Sequence, residues 1–484
     1  MPDDLLAQLA ELGAGDVPTK GGRTLAYVYD SGLADVDELA RQALGAYCDS
    51  NGLDPTAFPS LRRMENDLVG IAADLLDAPP TVVGTVTSGG TESCLLAVQA
   101  ARDAHPSVER PRVVVPDTVH AAFRKAAHYF GVELVVAPVR EDFRADPVAT
   151  AAAVDEAPDR TVLVVCSAPS YAHGVVDPVT EIAALAAARG IRCHVDACIG
   201  GWVLPFAARL GRPVAPWTFA VDGVTSISVD LHKYAYTPKG ASLLLHRTPA
   251  LRRPQYFASA DWPGYTMLNS TMQSTRSGGP LAAAWTVVRA IGPQGYDDLV
   301  RQTLEGVDAL VAGVGGIDGL RVVAAPDSTL VALETDGSCD VFTLADELAG
   351  HGWYVQPQMG FAGRPPTLHL TLCAATAPGV PDLLAALAAA VRRAREAGPV
   401  AVDPEVAAFV AALEPATLSE EDFDGLLAAA GLAGGGGDLA LPERMAEVNA
   451  LLDAAPPRLR EAVLVAFLDR LMRPARGTDP RWSS

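Results

Sequence analysis

The chain is poor in lysine. Of its 37 basic residues only Lys20, Lys125, Lys233 and Lys239 are lysines, and arginine takes every other basic position. It also lacks a basic surplus, and a formal net charge of -21 sets it against nucleic acid and anionic membrane surfaces, which carry the same sign. No CxxC pair and no Cys/His zinc spacing occurs. The seven cysteines (Cys48, Cys94, Cys166, Cys193, Cys198, Cys339, Cys373) are scattered and odd in number, which reads as reduced thiols packed as small hydrophobes, with neither metal nor disulfide. A run of about 18 uninterrupted apolar residues, the minimum for a membrane span, is missing. The opening MPDDLLAQLAELGAGDVP has acids where a secretory leader has basic residues. The expectation is a soluble, cytoplasmic protein that starts with a short amphipathic helix.

At 484 residues and 49% hydrophobic, the chain can bury a large core. From about residue 80 to 250, apolar β-branched runs alternate with Ala-rich helical stretches. The candidate strands are RVVVP (112–116), VELVVAPV (132–139), TVLVVCSAP (161–169), IRCHVDA (191–197), VTSISVD (224–230) and ASLLLH (241–246). Strands apolar on both faces and separated by helices predict an α/β fold, a mostly parallel sheet covered on both sides. The last two, with no helix between them, could run antiparallel. A second α/β block follows to about residue 398, and the tail beyond is helical and acidic, with AGGGGD (433–438) as a flexible linker. The expected organisation is an N-terminal helical segment 1–79, a large domain 80–290, a small α/β domain 291–398 and a helical extension 399–484.

In parallel sheets ligands bind beyond the carboxyl ends of the strands. The loop TSGGTES (87–93) pairs two glycines with a helix start near Thr91, so unpaired N–H groups and a positive helix end form an anion cup. It is neither a Walker loop nor a dinucleotide GxGxxG. His120 follows the strand RVVVP, Ser167 and His173 follow the next, and Asp196 ends IRCHV just before the paired Gly200 and Gly201, which permit close backbone approach. The fifth strand runs into His232 and Lys233. Each residue alone has a bland reading as a cap, a turn or a snorkelling side chain.

Together they do not. An anion cup, an aromatic His, a strand-end carboxylate and a desolvated lysine are the set that pyridoxal phosphate needs: a phosphate site, a flat ring, a ring nitrogen kept protonated by an acid, and an aldehyde held as a lysine Schiff base. Lys233 must then be lysine, because arginine cannot form that bond at neutral pH.

The stretches SGGTES, HAAFRKAAHYFG, HGVVDPV, HVDACIGGWVLPF and GVTSISVDLHKYAYTPKGAS closely resemble the sphingosine-1-phosphate lyase family, a branch of the group II pyridoxal-phosphate-dependent decarboxylase superfamily. FPSLRRMENDLV, STRSGG and PPTLHLTL extend the match. The resemblance implies a type I, aspartate-aminotransferase-like fold and a homodimer with active sites at the subunit interface. It implies Lys233 as the Schiff-base lysine, Asp196 as the ring-nitrogen partner, His120 as the stacking ring, and Gly90, Thr91 and His232 as phosphate ligands. Ser167 joins the cofactor residues, and Ser274 in STRSGG reaches the cofactor phosphate of the other subunit. Tyr29, Asn51, His173 and Lys239 match substrate-pocket positions, and His173, Tyr29 and Lys239 are candidates for proton transfer.

Two positions complicate the substrate. NGLDPTAFP puts Asp54 where the lyases carry a histidine that helps hold the substrate phosphate, and a carboxylate there is repulsive. Arg364, before the strand PTLHL, lies where many type I enzymes keep a carboxylate-binding arginine. The leading expectation is a carbon–carbon lyase that cleaves a 2-amino-3-hydroxy substrate to an aldehyde and an amine. An α-amino-acid decarboxylase is the alternative, and a catalytically dead scaffold would have lost Lys233 or Asp196.

Overall fold

The computed structural model describes residues 2–402, 419–429 and 442–474, with isolated positions between 403 and 418. The expected glycine linker 433–438 lies outside the described residues. Two compact units are present. The first comprises residues 1–312, 322–332 and 370–381, so it continues past the boundary expected at 290.

Its frame is a seven-stranded sheet of β1 (Val83–Thr87), β2 (Arg112–Pro116), β3 (Glu133–Ala137), β4 (Thr161–Ser167), β5 (Arg192–Asp196), β6 (Val224–Asp230) and β7 (Ser242–His246), in the order β1-β7-β6-β5-β4-β2-β3. Six of these are the strands read from the sequence, β2 and β6 with the same bounds and the other four trimmed at their ends. β1 was not among them, because Gly84 and two threonines break its apolar run. β7 is antiparallel to both β6 and β1, so β1 runs with the parallel set and ends on the same edge. Every residue of β2, β4 and β7 is buried, as strands covered on both faces require.

Local chemistry stops and starts the helices between strands. Asp146 caps Pro147–Asp155 by accepting from Val148 N at 2.8 Å. The helix Val179–Ala188 ends where Gly190 takes φ +68° and Ile191 N bonds back to Ala186 O. A long helix, Gly279–Val314, is broken by Gly292 at φ +63° before Pro293.

The second unit contains most of a small four-stranded sheet, Leu320–Val322, Leu330–Thr335, Thr367–Thr371 and Gln356–Gln358 in spatial order, and the helix Val341–Gly350 capped by Asp340. The strand Gln356–Gln358 was not foreseen. One helix, Ala374–Ala397, is long and apolar enough to cross a membrane by length and composition, but it carries Asp382 and buries Leu383, Leu387, Ala390, Val391 and Ala394 as a core helix does. The N-terminal helix is present at Pro2–Leu12.

Gly200 and Gly201 serve packing rather than a ligand. A Cβ on Gly200 would stand 2.2 Å from Ala168 O, and one on Gly201 would stand 2.5 Å from Val229 Cγ1. Gly200→Ala should therefore lower the unfolding free energy by about 1–3 kcal/mol, as overpacking of a core does, measured by urea denaturation with activity per folded molecule followed alongside.

Two histidines lie inside the sheet. His194 on β5 is fully buried between Ser226 Oγ at 2.9 Å and Ser228 Oγ at 3.2 Å, and burial pulls its imidazole down to about 4. His246 on β7, bonded to Gln255, is pulled down to about 3 for the same reason. Burial pushes Asp177 the other way, up to about 6. Below about pH 6.5, the ordinary value for histidine, the unfolded chain gains protons at both histidines that the fold refuses, so stability falls as pH falls toward 4. Asp177 opposes this over part of the window, and two groups outweigh one. Each contributes a slope of up to about 1.4 kcal/mol per pH unit. Chemical denaturation at pH 7, 6, 5 and 4 should show the loss, with a shallower slope for His194→Gln.

Candidate active site

β1, β2, β4, β5 and β6 deliver their C-terminal ends to one edge of the sheet, and a cleft of about 440 Å³ opens there. Gly90, Thr91, His120, Ser167, Asp196, His232 and Lys233, all named from sequence, line it together.

The anion cup forms as the loops predict. The helix Gly90–Asp103 starts at the cleft, and its first-turn Glu92 accepts from Ser88 N at 2.6 Å and Met272 N at 2.8 Å, which ties the loop down from both sides. Thr87, Ser93 and Ser242 form a buried hydroxyl chain beneath it, with links of 2.7 and 3.0 Å. Gly90 cannot be enlarged, since a Cβ there would stand 2.6 Å from Asp230 Oδ2 and 2.8 Å from Cys198 Sγ.

Asp196, 8% exposed at the end of β5, accepts from Cys198 N at 3.1 Å and Ser228 Oγ at 3.4 Å. Ser228 also bonds His194, so a chain of buried polar groups backs the carboxylate. His120 Nδ1 accepts from Ala122 N at 3.1 Å, and its ring stands edge-on to Tyr171 at 6.2 Å. Ser167 is fixed by its N–H, which donates to the buried Asp177 at 2.7 Å.

Lys233 Nζ lies 3.0 Å from Asp230 Oδ2, with Asp230 only 2% exposed. Burial works against the lysine's charge, but the carboxylate outweighs it and holds the amine well above the ordinary lysine range. Burial likewise works against Asp230's charge, but Lys233 and then His232 hold its carboxyl below its usual value. Sequence reading applied the strand-end argument to Asp196 and not to Asp230, although Asp230 ends the next strand three residues before Lys233. The same reading treated the cysteines as scattered. Cys94 and Cys198 nonetheless lie with Asp196 in one buried group whose donor atoms are within 4.8 Å of one another.

The remaining candidates do not line this cleft. Tyr29 packs edge-on against Tyr234 at 5.1 Å, and desolvation holds its hydroxyl far above its ordinary pKa. Lys239 Nζ donates to Tyr27 O at 2.9 Å and lies 4.9 Å from the Tyr29 ring centroid, and desolvation, aided by Lys233, pulls it down to about 8. His173 does not join the cleft, because its ring stacks on Phe143 at 4.0 Å. Asn51 Oδ1 accepts from Leu53 N at 2.9 Å and Arg276 N at 3.4 Å, a turn-forming role. Asp54 and Ser274 line a neighbouring cleft of about 580 Å³ that shares Ser88 and Glu92 with the first. Asp54 is occupied by an Asx turn, accepting from Thr56 N at 2.7 Å and Thr56 Oγ1 at 2.6 Å. Arg364 belongs to the second unit, where it bridges to Phe361 in a tight turn.

The cleft fits pyridoxal phosphate on the protein's own terms. Asp230 Oδ1 and His232 Nδ1 are buried at its floor with no hydrogen-bond partner among the described residues, and the glycine cradle and helix start face the same space. Residues 26–335 match the pyridoxal-dependent decarboxylase conserved domain, and residues 404–470 match the C-terminal putative HTH domain of pyridoxal-dependent enzymes. The chain is 37% identical over 371 residues to sphingosine-1-phosphate lyase of Arabidopsis thaliana, covering 75% of this chain and 67% of that protein. To sphingosine-1-phosphate lyase 1 of Rattus norvegicus it is 36% identical over 353 residues, covering 72% of this chain and 61% of that protein. Against these curated relatives the chain thus spans about two thirds of their length or somewhat less. The solved sphingosine-1-phosphate lyase of Burkholderia pseudomallei superposes with a TM-score of 0.76 at 33% identity, covering 82% of this chain and 92% of that one. The chain belongs to the sphingosine-1-phosphate lyase family of the pyridoxal-phosphate-dependent decarboxylase superfamily, and its cofactor is pyridoxal phosphate.

Proposed function

We propose that the protein is a carbon–carbon lyase that cleaves a phosphorylated 2-amino-3-hydroxy substrate to an aldehyde and a phosphorylated amine. The observation that carries this reading is the convergence of five strand ends on one cleft that fits the cofactor, in a chain whose relatives are lyases. Bound there, pyridoxal phosphate supplies an aldehyde that condenses with primary amines and a ring that accepts an electron pair from a substrate carbon.

The chain's own groups do the rest. Lys233 is the amine to which the cofactor is attached, and Asp196 holds a proton at the ring nitrogen. The start of the helix at Gly90 and Thr91, with His232, receives the phosphate, and Ser167 and the His120 ring confine the plane of the ligand. Cleavage needs a base for the substrate hydroxyl. Lys239, at about 8, exchanges its proton near working pH, whereas Tyr29 keeps its own and can only donate. His173, stacked on Phe143 and outside the cleft lining, carries no proton in this scheme.

Asp54 does not oppose a phosphorylated substrate as its sequence position suggests. Its carboxylate is exposed and satisfied by its own turn, where solvent and salt screen it over about 10 Å. A decarboxylase reading remains for the family as a whole and would call on Arg364 for the substrate carboxylate. Ser274, in the cleft beside the cofactor site, fits a homodimer in which this loop serves the partner's phosphate. The segment 404–470 carries twelve acids against four arginines, which repels a phosphate backbone, so its helix-turn-helix likeness is read as structural. A cytoplasmic, soluble enzyme fits the same charge.

Purified, cofactor-loaded protein should convert a phosphorylated long-chain 2-amino-3-hydroxy compound to aldehyde and phosphoethanolamine without carbon dioxide, with Lys233→Ala inactive. Carbon dioxide from an amino acid, with no aldehyde from any amino alcohol, would replace the lyase by the decarboxylase. The kcat of the lyase reaction should rise with pH to a plateau above about 8, as Lys239 loses its proton. Lys239→Met should lower kcat by roughly 10²–10⁴-fold and remove that rise, read from initial rates between pH 6 and 9.5.

A further inference from the structure

Asp230 has no part in the chemistry assigned above, yet it occupies the floor of the cleft. It closes β6 and is 2% exposed; its Oδ2 stands 3.0 Å from Lys233 Nζ and 3.7 Å from His232 Nε2, and its Oδ1 is buried without a partner among the described residues. The first residue of the helix Gly90–Asp103 is packed onto the same carboxylate, closely enough that a methyl group on Gly90 would collide with both oxygens. Other groups face the Lys233 amine as well. Tyr29 approaches from the N-terminal segment, Asp196 from the end of β5 and Cys198 from the loop after it, and Lys239 and His232 from the lysine's own loop. Asp230 is the carboxylate in direct contact.

We propose that Asp230 is a positioning residue that holds the Lys233 amine in place as an ammonium whenever that amine is not bonded to the cofactor. During turnover Lys233 is displaced by the substrate amine. An ammonium cannot compete with the substrate nitrogen for the same carbon, and it carries the proton that the substrate carbon needs after the bond to its neighbour has broken. The cost appears in loading. To bond the cofactor, the ammonium must first lose its proton to solvent; the neutral nitrogen then forms a double bond to the aldehyde carbon and one water leaves. A partner that favours the ammonium therefore slows capture of the cofactor.

The inference rests on the reading of Lys233 as the cofactor lysine, and the test separates the two. Full-length protein stripped of cofactor is mixed with pyridoxal phosphate, and capture is followed by absorbance from pH 6 to 10, with Lys233→Ala as the blank. In the unsubstituted protein the capture rate should climb about tenfold per pH unit, as the neutral fraction of the amine does. Asp230→Asn should capture at least about tenfold faster at pH 7, with a flatter profile, and Asp230→Glu should restore slow capture. An Asp230→Asn profile that matches the unsubstituted one overturns the proposal and leaves the cofactor reading intact. Capture that does not depend on Lys233 overturns both.

Should Asp230→Asn fold poorly, stability in a Lys233→Met background gives a second reading. Without the amine, Asp230 keeps only the more distant His232 beside it, so either its buried charge or the proton it takes up costs stability, and Asp230→Asn should then raise the denaturation midpoint. A lowered midpoint in that background would make Asp230 a purely structural residue and overturn the proposal.

Discussion

Two opposite charges buried against each other fix the geometry of this site. Asp230, 2% exposed, is costly as a lone charge, since taking a single charge out of water costs several kcal/mol even after relaxation, about as much as removing one partner of a buried pair. The pair therefore locks two backbone positions, the last residue of β6 and the third residue of the loop beyond it, at one distance. That loop returns through Gly240 to β7, and β7 in turn fixes β1 by its antiparallel ladder. The anion cup at the end of β1 is thus positioned relative to the lysine by three hydrogen-bonded strands rather than by loop contacts. A cofactor bound by its phosphate at one end and a covalent bond at the other needs that separation to be rigid.

Asp196 shows the complementary solution to burying a carboxylate. It forms no salt bridge among the described residues and is instead supported by an N–H from Cys198 and a hydroxyl from Ser228, whose other neighbours are His194 and the Cys198 thiol. His194 is kept neutral by burial, so it supports the chain as a hydrogen-bonding group and not as a charge. Asp196 also lines the cleft, open to a partner that enters there. Two strand-end carboxylates on neighbouring strands thus differ: Asp230 is paired with Lys233, while Asp196 lines the cleft and, in the function proposed above, meets the cofactor's ring nitrogen.

Much of this could be read from sequence because the chemistry is concentrated at strand ends, and apolar strands flanked by helices are easy to count. Lysine scarcity made Lys233 conspicuous, and the glycine pair before Thr91 marked the cup. What could not be read depended on pairing across the sheet. β1 hides because a glycine and two threonines interrupt it, and it is a strand only by virtue of lying against β7. His173 carries the right chemistry on the right loop, but Phe143, thirty residues earlier, takes its ring. Gly200 and Gly201 announce close approach, and only the packing shows that the neighbours are Ala168 and Val229. Asp230 was in view, three residues from the lysine, but the alternation of β6 does not say whether a terminal carboxylate turns toward the cleft or toward solvent.

The substitution at Asp54 is where local structure changes the functional argument most. Counted as a bare charge at a phosphate-binding position, it argues against a phosphorylated substrate. Its carboxylate is instead consumed by Thr56 and Ala57, so it acts as the nucleus of a turn ahead of the helix Pro59–Leu75. Arg62, eight residues further on, lines the same neighbouring cleft, as do Arg252 and Arg276. Arg276 is spent on Glu65 and Val86 O, and Arg252 on Gly84 O. Arg62 differs in having no ionic partner within reach among the described residues. A phosphate approaching this cleft would therefore meet a guanidinium beside the turn rather than an isolated carboxylate.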